Sequence, residues 1–104
     1  MAVKPVTKPY TMTGAAISLS TILARADNTW MGSLALRAAR ENSDDIFWQD
    51  EDGQPGGYIG PGEAVTMDFG EGQALIGGFS LKGDTGDVVY ITVGLDRHYF
   101  PGDA

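Results

Sequence analysis

Glycine is the residue that most constrains what this chain can become. Fifteen of the 104 residues are glycine and five are proline, about twice the usual glycine share of roughly 7%. They stand between short apolar runs, at Gly53, Gly56-Gly57, Gly60-Pro61-Gly62, Gly70, Gly72, Gly77-Gly78, Gly83 and Gly86. Such punctuation favours tight turns over long helices. The expected class is all-β.

The runs between the glycines read as strands. Trp30 to Ala39 sets Leu34, Leu36 and Ala38 on one face and Ser33, Ala35 and Arg37 on the other, a period of two. A helix over Trp30–Arg40 competes, because Ala, Leu and Arg are good helix formers. Ile46-Phe47-Trp48-Gln49 has the aromatic and β-branched content of a short strand, expected to form a hairpin with the preceding one. One of the neighbours Phe47 and Trp48 must then face inward and the other outward. Tyr58-Ile59 is a brief strand, and Glu63–Phe69 puts Val65, Met67 and Phe69 on one face. Ala74–Lys82 supplies Leu75, Phe79 and Leu81 around Gly77-Gly78, a pair that marks a bulge or a close backbone approach. Asp87–Leu95 runs Val89, Ile91 and Val93 inward. Ile17 to Leu23 reads as a strand end followed by one helical turn capped by Ser18 or Ser20.

Six or seven short strands predict a two-sheet antiparallel sandwich, jelly-roll-like, or a small barrel. Residues 11–95 form that domain, between an extended N-terminal arm over 1–10 and a C-terminal tail over 96–104. In Met1–Tyr10, Pro5 and Pro9 lack amide donors and hold Lys4 and Lys8 extended. The segment reads as a stiff arm or as a first edge strand.

With no cysteine, disulfides and thiolate metal sites are excluded. A net charge of -7 repels polyanions, so nucleic acid is not an expected partner. Neither a signal-peptide core nor a membrane span stands out, and a soluble protein made in the cytoplasm, with no membrane partner, is expected.

Chemistry-bearing motifs are sparse. His98 is the only histidine, too little for a Ser-His-Asp relay or a transition-metal site. Asp50-Glu51-Asp52 and the pair Asp84 and Asp87 offer oxygen ligands for calcium. Yet with Gly53 at the EF-hand glycine, Trp48 and Ile59 occupy the first and twelfth ligand positions, so Asp50–Gly57 reads as a solvated loop. Gly57–Gly62 lacks the Lys-Ser/Thr of a phosphate cradle. No enzyme, metal or cofactor is expected. Trp30, Trp48, Tyr58, Tyr90, Tyr99 and Phe100 are the aromatics able to stack on a sugar or fill an interface.

Gly32-Ser33-Leu34-Ala35-Leu36-Arg37-Ala38, followed by Asn42 and Ile46-Phe47-Trp48, then Tyr58 to Asp68 and Val88-Val89-Tyr90-Ile91, resembles the small β-sandwich proteins of virion-structure modules in tailed bacteriophages. The resemblance spans about Gly14 to Leu95 by pattern. It implies a non-enzymatic capsid decoration, or cement, protein on the virion surface that clamps major capsid subunits; related proteins serve in necks, tails and fibres. A homo-oligomer is expected, a trimer first. Both chain ends are then candidate contacts: Lys4, Pro5, Lys8, Pro9 and Tyr10 at one, Arg97, Tyr99 and Phe100 at the other, with Trp48 between them. The competing reading is a carbohydrate- or receptor-binding tail or fibre module, stacking sugars on Trp48, Tyr58 or Trp30.

Overall fold

Period two prevails over helix propensity at Trp30–Ala38, because that face is completed from both sides. In the computed structural model, which describes residues 3–50, 52–69 and 74–96, Leu34 lies opposite Met67 of one neighbouring strand and Val93 of another. A helix would put residues two apart, such as Leu34 and Leu36, on opposite sides of its axis and take one of them away from such partners.

The elements in order are β1 (Val3–Thr11), β2 (Ile17–Ser18), α1 (Leu19–Leu23), β3 (Trp30–Ala38), β4 (Ile46–Gln49), β5 (Pro55–Ile59), β6 (Ala64–Asp68), β7 (Ala74–Leu75), a 3-10 turn (Ile76–Gly78), β8 (Ser80–Lys82) and β9 (Val88–Asp96). They build two antiparallel sheets, β1-β9-β3-β6 with β7 also on β3, and β2-β8-β4-β5. That order is the double Greek key of an eight-stranded jelly roll. The all-β sandwich expected from the turns is the fold.

The core lies between the inner faces. Met31, Leu34, Leu36, Val89, Ile91, Val93 and Leu95 come from the first sheet, and Ile46, Ile59 and Leu81 from the second, with Met12, Leu19, Ile22 and Ile76 closing the ends. Of the two candidate caps it is Ser18 that caps α1, its hydroxyl accepting the Thr21 amide at 3.2 Å.

Three expectations change. Of the two readings of Met1–Tyr10, the edge strand is realised: β1 runs in register with β9 from Val3 opposite Asp96 to Thr11 opposite Val88. Residues 3–10 therefore belong to the sandwich and not to a free arm.

The expected hairpin between β3 and β4 does not form. β3 pairs with β6, β7 and β9, whereas β4 pairs with β5 and β8, so the connection crosses from one sheet to the other. Asn42 holds that crossing, its amide donating to the Val88 carbonyl and its carbonyl accepting the Val88 amide, both at 2.8 Å. The Asp87 carboxylate accepts the amides of Ser43 (2.9 Å) and Asp44 (3.2 Å).

The run Ala74–Lys82 is not one strand either. It pairs with β3 at Ala74–Leu75, turns through Ile76–Gly78 and joins the second sheet at Ser80. Gly77 is the close approach: a Cβ there would sit 2.7 Å from Asp27 Cβ and 2.8 Å from its carbonyl oxygen.

Candidate interaction surface

Aliphatic side chains make up most of the described core. Among the described residues the buried polar side chains are Ser20, Asn42 and Asp87, and each holds backbone or a loop in place: Ser20 donates to Asp27, Asn42 bonds Val88, and Asp87 bonds Ser43 and Asp44. Among the described residues no buried side-chain polar atom lacks a partner and no group of three metal-ligating side chains forms.

Side chains free to meet a partner lie outside. Strand alternation turns Ile46 and Trp48 inward and Phe47 outward, and the register sets Phe47 beside Tyr58 on β5 and Lys82 on β8. Phe47 is 41% and Tyr58 66% exposed, with ring centroids 6.1 Å apart. Two aromatics on adjacent strands make a rigid apolar platform at little entropic cost. Beside it a hollow of about 270 Å³ is lined by Phe47, Pro55, Gln49, Lys82, Asp84 and Gly14. It combines an apolar wall with an ammonium, an amide and a carboxylate. A second hollow of about 190 Å³ lies against the other sheet between Arg37, Arg40 and Tyr90.

Trp48, singled out from sequence, is the inward neighbour. Its ring packs on the core and meets Phe79 at 6.2 Å, and Phe79 meets Phe69 at 5.9 Å. Gly56 and Gly57 make room for the indole: a Cβ at Gly56 would lie 2.1 Å from the ring. That glycine pair, facing β4, was the signal in the sequence for which aromatic turns inward.

Pro5, Lys8, Pro9 and Tyr10 all lie on β1, with Tyr10 packed against the core and Lys8 in the same inward register but exposed. Lys4 stands opposite Leu95. Arg97, His98, Tyr99 and Phe100 lie outside the described residues. In the acidic loop, Asp50 turns its carboxylate to the amides of Asp52 and Gln54, both at 2.9 Å. That carboxylate shapes the β4–β5 turn.

No protein-family model and no curated protein matches the chain. Solved structures do match, in fold. The coat protein of Tobacco streak virus aligns with a TM-score of 0.52 at 17% identity, covering 95% of this chain and 90% of that one. A structure of Bacillus endospore appendages, described as disulfide-linked pili, aligns at 0.51 and 11% identity over 91% of this chain and 88% of that one. HppE, with Co(II) and Tris buffer, aligns at 0.50 and 10% identity, covering 90% of this chain but 46% of that one. At these identities the likeness is one of fold.

Proposed function

We propose that this chain is a non-enzymatic structural protein of a bacteriophage virion, a capsid decoration or cement protein that docks across major capsid subunits. The observation that carries the reading is the division of the molecule. Aliphatic side chains fill most of the described interior, while Phe47, Tyr58 and Lys82 stand outward on paired strands. Aromatics in such positions are the residue types enriched at protein interfaces. Likeness of fold to a viral coat protein and to an appendage protein supports a role in assembly.

The test is co-sedimentation with assembled capsids that lack the protein. Stoichiometric binding that raises the capsid melting temperature is expected, because a ligand specific for the assembled state stabilises it. Replacing Phe47 and Tyr58 together by serine is expected to abolish co-sedimentation while leaving the circular dichroism spectrum unchanged. Binding that survives this change overturns the role of the aromatic face.

The hollow beside Phe47 favours a second reading, a carbohydrate- or receptor-binding tail module. A pyranose would stack on Phe47 and hydrogen-bond Gln49, Lys82 and Asp84. Retention on immobilised glycan with no affinity for capsids would select it.

A further inference from the structure

The four sheet edges of the sandwich are not alike. β1 carries Pro5 and Pro9, which have no amide to donate, and the charged Lys8 in an inward register. β2 is two residues long, and β5 begins Pro55-Gly56-Gly57. Proline, inward charge and short length each discourage another strand from pairing. β6, Ala64-Val65-Thr66-Met67-Asp68, has none of these devices and is the last strand of its sheet.

Hydrogen-bond phase decides which groups that edge presents. The Phe69 amide donates to the Gly32 carbonyl and the Ala38 amide to the Glu63 carbonyl, both at 2.9 Å. These contacts are an even number of residues apart, so Val65 and Met67 bond toward β3, and Ala64 and Thr66 turn their N–H and C=O outward. The side chains alternate too: Val65 and Met67 are half-buried against the core, and Thr66 is exposed on the opposite face.

We propose that β6 is a homotypic interface, pairing antiparallel with β6 of a second copy about a two-fold axis at Thr66, so that one sheet runs through both molecules. The segment is self-complementary in that register. Thr66 meets its own copy across the axis, each backbone donating one bond and accepting one. Val65 meets Met67 of the second copy on the inner face, continuing the apolar strip and covering both. Ala64 falls opposite the second copy's Asp68, which keeps the two like charges apart. A contact of this kind is closed by its symmetry, and it stands whether or not the virion reading holds.

Light scattering on the full chain over a dilution series tests it. The expected mass is twice the 11.0 kDa of the chain. T66K sets two ammonium groups against each other at the axis, and T66P removes an amide that β3 does not use. Both are expected to give the single-chain mass with an unchanged circular dichroism spectrum, while T66V remains paired. Should T66P unfold, T66K decides. A wild-type chain that stays single at every concentration, an odd-numbered oligomer, or a pair that survives T66K would each overturn the proposal.

Discussion

Asp87 shows how one carboxylate can tie a loop to a strand. Only 5% exposed, it stands just before β9 and accepts the Ser43 amide at 2.9 Å, the Asp44 amide at 3.2 Å and the Ser43 hydroxyl at 3.1 Å. The Ser43 amide does most to hold its carboxyl below the ordinary aspartate value; desolvation pushes the other way, and the Asp44 amide and Ser43 hydroxyl lower it further. The unfolded chain therefore binds this proton at higher pH than the folded chain, and stability rises with pH between the two values. The contribution is complete above the ordinary value of about 3.9 and is lost as pH falls through the depressed one. D87N cannot titrate and places an amide donor among donors. It is expected to lower the neutral-pH Tm and flatten the acid limb of Tm against pH in calorimetry. An acid limb as steep as that of the wild type would show that another group is responsible.

At the scale of elements, the chain keeps its sheets apart with loops that change sheet and with glycines that admit a neighbour. Trp48 lies over Gly56 and Gly57, where β4 and β5 pair with a register shift between Trp48 and Gln49. In G56A the new methyl would overlap the indole, and the ring must leave its place against Phe79. Overpacking of this kind costs about 1–3 kcal/mol. The expected result is a Tm decrease with a red shift in tryptophan emission, and an unchanged emission maximum would refute the packing described. Alternation alone said that Phe47 and Trp48 point to opposite sides. Which one points inward was settled by the glycines across the strand, a contact between elements.

For the whole molecule, the outer face and the core make opposite demands. Ile91 is fully buried in the central strand of the first sheet, and I91A is expected to cost about 2–5 kcal/mol. Phe47 and Tyr58 pair on the surface, and a cross-strand pair of this kind contributes about 0.2–1 kcal/mol. Urea unfolding of I91A and of F47A/Y58A should therefore show a large loss for the first and a small one for the second. A double surface variant as unstable as I91A would mean that the aromatic face serves the fold and not a partner.

Much of this was legible in the residues one after another. Period two at Val65, Met67 and Phe69 and at Val89, Ile91 and Val93, the glycine turns, and the Ser18 cap are local, because each depends on backbone geometry within a few residues. The all-β class follows from them. Sheet membership does not. That β3 and β4 part company, that Val3 pairs with Asp96, and that Ala74 and Ser80 belong to different sheets depend on partners far apart in the chain. A strand's alternation records that one face is buried; it does not record against what. The pairing of β4 with β5 set Trp48 over Gly56 and Gly57 and left Phe47 and Tyr58 outward, and the order of strands in the first sheet left β6 at the edge with the Ala64 and Thr66 backbone groups facing out.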